Sequence, residues 1–392
     1  MGEENSRGDR MGIPERRYDI DWIRVLAVYL LIPFHTAVAF SHHGISYIKN
    51  DQTALFLSTF VGFVHQWHMP LLFLVSGAAS WYSLKSRGGG RYLVDRVKRL
   101  LVPLVFGTLV IVPPMIYFQR LQEGRFSGSL LGFYPTFFNG VYPEGNFSWG
   151  HLWFLAYLFT FSLIALSLFL YLRGDRGKNY LDRVAGFCER RWGIFIFAVP
   201  FILVEVFLRA WWPGFQNLVN DWANFMLYIT AFIYGYILAS DERFAKSIDR
   251  YKVAALFMGV VTQIIVLTIY SMNIPWTMDD AGLWVFFMAV KGLNCWLWLM
   301  AILGLGHRFL SFTNKYLSYF NESALPVYII HMLVVVAFGY FVVKTGLGVT
   351  TKYLIITGVS LILTTLLYDI CVKRTRMTRF LFGMRPIKGA ES

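Results

Sequence analysis

Residues 19–38 read DIDWIRVLAVYLLIPFHTAV, and this stretch decides what kind of fold the chain has. It is mainly apolar over about 20 residues, the length that a helix needs to cross the ~30 Å hydrocarbon core of a bilayer. Arg24 and His35 lie within it, although a central ionisable side chain costs about 2.5 to 3.5 kcal/mol on insertion scales. The stretch therefore predicts a transmembrane helix whose polar groups face protein or water rather than lipid.

Similar apolar segments recur along the whole chain. Hydrophobic residues make up 56% of the sequence and charged residues 15%, whereas soluble domains have ~45 to 50% and ~25%. We therefore predict an all-α polytopic membrane protein of about ten transmembrane helices, with residues 19–372 as the membrane domain between basic cytoplasmic tails at 1–18 and 373–392. The ten segments begin near Trp22, Leu55, Leu100, His151, Trp192, Trp222, Val253, Leu283, Tyr316 and Leu354.

The loop charges test this assignment, because short cytoplasmic loops carry an excess of Lys and Arg. With both termini placed in the cytoplasm, 28 of the 36 basic residues fall in inside segments and six fall in outside segments. The net charge of +13 is thus explained by topology, and we expect a lipid bilayer rather than a nucleic acid as partner. The predicted location is the cell membrane, with several passes.

Histidines occupy the middle of three predicted spans. His35 lies in the first span, His65 and His68 in the second, and His331 in the ninth. No span has the i, i+4 histidine pair with an intervening glutamate that would indicate zinc, so we expect no metal and no permanently bound cofactor. A neutral histidine can act as a general base near pH 7. For His65 and His68, hydrogen bonding between helices is the stronger expectation.

Arg24 and His35 are spaced to share one helix face. Eleven residues at 100° each return to within about 20° of the same direction, about 16 Å further along the axis. This places a deep histidine in line with an arginine near the cytoplasmic end. The alternatives are a snorkelling Arg24, with Asp21 one turn earlier, and a purely structural His35.

Other polar groups are expected at the two membrane surfaces. On the outer side, His151, Trp153 and Glu205 suggest a carbohydrate-facing rim, although an ordinary aromatic belt explains the tryptophans better. On the inner side, Arg91, Arg96 and Arg99 precede the third span. Topology alone explains some of this charge, and an i, i+3 arginine pair is also suited to phosphates.

These motifs, in this order, resemble the acyltransferase-3 family of membrane O-acyltransferases. Ten residues separate Arg24 from His35, and the run Asp19–Arg24 is most similar to the glucan-biosynthesis branch of that family. The further matching stretches are Met69–Gly77, the pair Arg96 and Arg99, His151–Leu155, and Tyr328–His331. The resemblance extends from residue 19 to about residue 370.

The resemblance implies transfer of an acyl group from cytoplasmic acyl-CoA to a hydroxyl of a carbohydrate or glycolipid acceptor on the outer face. The residue matching His35 is the family's proposed base, with Arg24 as its catalytic partner, and the residues matching Arg96 and Arg99 are associated with CoA. A developing oxyanion would need a hydrogen-bond donor. The candidates for that donor are Ser76, Tyr328, His68 and His331.

Two other classes of function remain open. A proton-coupled transporter of a small solute would also use His, Arg and Lys291 within its spans. The sequence shows no persuasive internal repeat, which disfavours a transporter built from two related halves. A non-catalytic glycan or lipid sensor would bind without turnover. The sequence leaves the acyl group, the acceptor and the oligomeric state open.

Overall fold

The computed structural model describes residues 17–42, 44, 46–271 and 280–386, and within these ranges every regular element is a helix. Residues 1–16 and 387–392 of the two predicted tails lie outside the described ranges. In chain order the main helices are α1 Tyr18–Val38, α2 Leu55–Ser86, α3 Gly89–Gln122, α4 Gly150–Ile164, α5 Leu166–Arg173, α6 Asp175–Glu189, α7 Gly193–Leu208, α8 Trp222–Ser240, α9 Glu242–Ser271, α10 Ala281–Phe309, α11 Lys315–Val342, α12 Val349–Val372 and α13 Arg376–Leu381.

The described helices include seven that are long and apolar enough to cross a membrane, namely α1, α3, α8, α9, α10, α11 and α12. The number rises to nine if two bent pairs each count as one span. In the first pair α4 and α5 meet at 47°, and in the second α6 and α7 meet at 118°. The chain is thus an all-α polytopic membrane protein, while ten spans and cytoplasmic termini stay predictions.

The predicted second span corresponds to α2, which is not among these seven helices. It is 32 residues long and continues through Pro70. Since a helix rises 1.5 Å per residue, α2 is about 48 Å long, which exceeds the hydrocarbon thickness. Its middle carries His65, Gln66 and His68, and these polar residues lower the mean hydropathy of a helix that is long enough to span.

The third span begins earlier than predicted. A start near Leu100 was expected, with the arginines in a loop before it, but α3 begins at Gly89 inside the glycine run. Arg91, Arg96 and Arg99 therefore lie on the first turns of this helix, where the backbone forms one π-helical segment at Val97–Leu101. A helical backbone fixes the spacing of these guanidinium groups.

The core forms around α1, which packs against α2, α10 and α11. On its other side α2 packs closely along α8. At this crossing a Cβ on Gly77 would lie 1.8 Å from the Phe232 carbonyl oxygen, and one on Gly235 would lie 1.7 Å from that of Leu74. The two backbones therefore touch, and only glycine fits at the two contact points.

Candidate active site

Four histidines meet in the interior, one on α1 and one on each of three other helices. The ring centroids of His35 and His331 are 5.4 Å apart, and those of His151 and His331 are 5.3 Å apart. The ring of His68 stacks on Phe34 with 6.2 Å between centroids. We call His35, His68, His151 and His331 the histidine cluster; it joins the motifs on α1, α2, α4 and α11 that sequence analysis identified separately.

Backbone carbonyls fix the tautomers of three members of this cluster. Nε2 of His68 donates to the Ala27 carbonyl oxygen at 2.7 Å, and Nε2 of His151 donates to that of Ile329 at 3.0 Å. Nδ1 of His331 donates to the Tyr328 carbonyl oxygen at 2.7 Å. Because a carbonyl oxygen only accepts, each nitrogen so bonded carries the hydrogen, and the other ring nitrogen of each neutral imidazole is an acceptor.

His35 differs from the other three rings. Within the described part of the chain, no hydrogen bond orients its imidazole, and its side chain is partly exposed although it lies deep in α1. Its ring touches only Phe34 and His331 among the aromatic neighbours described. It is therefore the member of the histidine cluster best able to engage a substrate.

A cavity of about 960 Å³ lies at the other end of α1. Six arginines and three acidic side chains line it, and Arg24 reaches it from the same helix face that carries His35. The six arginines are Arg17, Arg24, Arg87, Arg96, Arg99 and Arg385. We call this space the arginine cavity.

Three of these arginines are neutralised by nearby aspartates. Arg24 pairs with Asp21 at 2.9 Å and also donates to Asn321, and Arg87 pairs with Asp95. At the start of α1, Arg17 donates two hydrogen bonds to Asp19, at 2.9 and 2.7 Å. Burial alone would lower the pKa of Arg17, but this hydrogen bonding and the charge of Asp19 raise it above the ordinary value.

The other three arginines have no carboxylate partner among the described residues. Arg96 donates to the Ser80 hydroxyl at 3.0 Å and lies over the Tyr92 ring at 4.6 Å, so it is oriented but not neutralised. Arg99 and Arg385 form no salt bridge within the described ranges. The third acid of the lining, Glu322, pairs with Arg379, which lies outside the lining. The arginine cavity therefore carries an excess of positive charge.

Glu205 was predicted to lie in an exposed outer rim, but it is buried, with only 3% of its surface accessible. It accepts hydrogen bonds from Arg209 at 2.7 and 3.0 Å and from Lys291 of α10 at 2.9 Å. One carboxylate between two cations explains why these charges are tolerated inside the protein. His65 has an exposed side chain, and among the described ring contacts none joins it to the histidine cluster.

The remaining predicted residues take separate places. Arg91 is exposed and does not line the arginine cavity. Trp153 stacks on Tyr228 at 5.5 Å within an aromatic group of the core, so it is neither a surface belt residue nor a cluster member. Tyr328 donates its hydroxyl hydrogen to the His151 carbonyl oxygen, and Ser76 donates to that of Leu72 at 2.8 Å.

None of the four predicted oxyanion donors has a hydrogen free for that role. Ser76, Tyr328, His68 and His331 each give theirs to a backbone carbonyl. A donor taken from this set would first have to break that bond. The described residues also contain no group of three or more His, Cys, Asp or Glu side chains placed to hold a metal ion.

Arg17, Arg87 and Arg385 line the cavity although they were not predicted as site residues. The first two lie in basic segments whose charge was assigned to topology, and no motif singles them out. Arg385 follows the last predicted span by more than ten residues. No local pattern there signals a return to the membrane domain.

The fold and the site together define a polytopic membrane protein with a cationic cavity at one end and a histidine cluster further in. Residues 17–369 match the acyltransferase-3 family, whose profile is described as an acyltransferase domain. The chain therefore belongs to the acyltransferase-3 family and is a membrane acyltransferase of that family, which confirms the resemblance.

Relatives in three Salmonella strains cover almost the whole chain. Glucans biosynthesis protein C from Salmonella heidelberg, from Salmonella agona and from Salmonella dublin is in each case 23% identical over 390 residues. The aligned region is 96% of this chain and 97% of the relative. No solved structure matches the chain.

Proposed function

We propose that the protein is a membrane-embedded O-acyltransferase that moves an acyl group from cytoplasmic acyl-CoA to a hydroxyl of an extracytoplasmic glycan or glycolipid. His35 is the general base. The observation that carries the proposal is that the arginine cavity and the histidine cluster share α1, with Arg24 and His35 on one face of that helix. Family membership supports the transferase class.

The charge of the arginine cavity supports an acyl-CoA donor. CoA carries several phosphate charges, and guanidinium groups bind phosphate oxygens through charge-assisted, often bidentate hydrogen bonds. Arg96, Arg99 and Arg385 line the cavity and form no salt bridge among the described residues, so their guanidinium groups can bind such a ligand. The nucleotide end of the donor would stay in this cavity while its thin pantetheine arm extends along α1 toward His35.

At His35 the acyl group is transferred from the sulfur of the CoA thioester to the hydroxyl oxygen of the acceptor. The unprotonated ring nitrogen of His35 takes the proton of the acceptor hydroxyl as its oxygen attacks the thioester carbonyl. The new C–O bond replaces the C–S bond, and the CoA thiolate leaves and receives the proton. Arg24 lies about 16 Å along the helix from His35, so in this scheme it lines the donor cavity, paired with Asp21, and does not touch the reacting atoms.

The acceptor would enter from the side where α4 begins. His151 and Tyr328 lock this end of α4 to α11, because each residue donates a hydrogen bond to the opposite segment. Nδ1 of His151 and Nε2 of His331 are then buried lone-pair atoms that no described residue hydrogen-bonds. Hydroxyl groups of the acyl acceptor could donate hydrogen bonds to these lone pairs, which fits a carbohydrate.

A transporter is the second candidate, and the buried group of Glu205, Arg209 and Lys291 is the observation that favours it. Ionisable groups inside a membrane domain often belong to relays. Both carboxylate oxygens of Glu205 are engaged here, so a relay would have to break these ion pairs.

The test uses purified protein in liposomes with radiolabelled acyl-CoA on the side of the arginine cavity and a panel of sugars on the other side. The enzyme releases CoA in a sugar-dependent manner and the label appears on the sugar. Solute flux without thioester loss would instead support the transporter. Binding of sugar without turnover for any donor would support a sensor and contradict the proposal.

A further inference from the structure

The chain folds back to the arginine cavity after its last long helix. The short helix α13, Arg376–Leu381, is followed by Gly383, Met384 and Arg385, and these three residues line the cavity. By its charge, this region was expected to be part of a cytoplasmic basic tail. In the structure it is part of the cavity wall.

A buried arginine anchors this return. Arg379 is only 7% exposed, and it donates to the Glu322 carboxylate at 2.6 Å and to the Arg385 carbonyl oxygen at 3.0 and 2.8 Å. The Phe382 ring packs on Phe106 of α3 with 5.3 Å between centroids. One side chain thus ties the segment to α11 and at the same time fixes the backbone of Arg385.

Gly383 brings the segment against the turn that carries Arg99. Its φ of +67° lies in the left-handed region that favours glycine. A Cβ at this position would lie 2.7 Å from the Arg99 carbonyl oxygen and 2.9 Å from Cγ of Pro103. A side chain at this position would therefore push the segment away from Arg99, and the glycine lets Arg385 lie in the same wall as Arg99.

We propose that residues 379–385 complete the donor site and that Arg385 binds a phosphate group of the donor beside Arg96 and Arg99. This inference rests on the proposed function for the identity of the donor, but not for the anionic chemistry of the ligand. Arg385 has an exposed side chain at the cavity wall and no salt bridge among the described residues. Its guanidinium is thus available to a phosphate.

Arg376 provides a matched control for Arg385. It lies in the same segment, is exposed, and does not line the arginine cavity. Topology alone would give the two arginines equal roles, since both add one positive charge to the same end of the chain. The fold distinguishes them by where their side chains lie.

The experiment measures the dissociation constant of CoA by calorimetry with full-length wild-type, Arg385→Ala and Arg376→Ala proteins in nanodiscs. Loss of a charge-assisted hydrogen bond should weaken CoA binding by Arg385→Ala about 10-fold or more. The Arg376→Ala variant should bind as the wild type does. Equal CoA affinity in wild type and Arg385→Ala, at equal thermal stability, would overturn the inference while leaving the proposed donor intact.

Pyrophosphate as a second probe separates this inference from the proposed function. Wild-type protein that binds pyrophosphate but not CoA, with binding weakened only by Arg385→Ala, would support the phosphate site and overturn the CoA donor. Wild-type protein that binds neither probe would overturn both. The Gly383→Ala variant retains every guanidinium group of the cavity. It should still weaken CoA binding, because the added Cβ displaces the segment that carries Arg385.

Discussion

The free nitrogen of His331 is the residue-scale feature that most restricts the chemistry. Its Nδ1–H is committed to a backbone carbonyl, and its buried Nε2 has no hydrogen-bond partner among the described residues. His151 presents the same situation with Nδ1 as the free atom. A set of lone pairs of this kind accepts hydrogen bonds from hydroxyls and does not stabilise an oxyanion.

Exchanging His331 for the two amides tests this assignment. The Asn amide retains a hydrogen-bond donor near the position of Nδ1 and removes the hydrogen-bond acceptor at Nε2. The Gln amide retains the hydrogen-bond acceptor and removes the hydrogen-bond donor. If the Nε2 lone pair orients the hydroxyl of the acyl acceptor, His331→Asn should lower kcat by about 10-fold or more, because loss of one such hydrogen bond costs about 1 to 3 kcal/mol, and it should keep the melting temperature. The measurement is label transfer at saturating donor. An Asn variant with wild-type kcat would remove His331 from the reaction.

At the scale of elements, the crossing of α2 and α8 brings two helix backbones into contact at glycines and is therefore sensitive to added volume. Gly77→Ala places a methyl group against the Phe232 carbonyl, which is backbone and cannot rotate away. Overpacking of this kind costs about 1 to 3 kcal/mol or more. We expect a lower melting temperature in detergent by differential scanning fluorimetry.

Gly62 of the same helix is the control for this substitution. A Cβ there would meet only the Leu267 side chain at 3.4 Å, which is ordinary contact. The Gly62→Ala protein should melt like the wild type. If both alanine variants melt alike, the close approach of α2 and α8 is not present in the protein.

The buried ion group between α7 and α10 makes a second prediction at this scale. Glu205→Gln leaves Arg209 and Lys291 without their carboxylate, and breaking a buried pair in this way costs about 3 to 5 kcal/mol. Lys291→Met removes one cation and leaves a neutral pair, so it should destabilise less. Thermal unfolding of the two variants checks the order. The reverse order would mean that Glu205 is not shared as the structure places it.

The apolar lengths predicted the helical class and the approximate positions of the long apolar helices, whereas the orientation read from the loop charges stays a prediction. They could not show that α3 begins at Gly89. Glycines locally disfavour a helix, so helix formation there depends on packing against the rest of the protein. The meeting of His151 with His331 is a contact between distant segments, and no period in the sequence encodes it. Arg385 joins the arginine cavity through Arg379 and Gly383, whose partners are equally remote in sequence.

At the scale of the whole molecule, the central feature is the distance between the arginine cavity and the histidine cluster. The cavity lies at the Arg24 end of α1, and His35 lies about 16 Å further along the same face. A molecule arranged in this way can hold the charged part of a donor at one surface and react its acyl end in the interior. A cytoplasmic donor can reach this cavity only if the Arg24 end of α1 faces the cytoplasm.

Cysteine labelling tests that orientation. Cys188 and Cys295 are buried and Cys371 is exposed, so Cys371→Ser gives a background with little labelling. On this background, Lys344→Cys between α11 and α12 should react with a membrane-impermeant maleimide in intact cells. Lys178→Cys on α6 should react only after permeabilisation. The opposite pattern would reverse the predicted topology and place the donor cavity outside.

The most direct test of the central claim is the turnover of His35→Ala, measured as sugar-dependent transfer of label and compared with His42→Ala, an exposed histidine outside the cluster. Loss of a general base should lower kcat by about 100- to 10,000-fold. CoA affinity should stay unchanged in His35→Ala, because the arginine cavity is intact, and His42→Ala should behave as the wild type. Wild-type turnover in His35→Ala would contradict the assignment of His35 as the base.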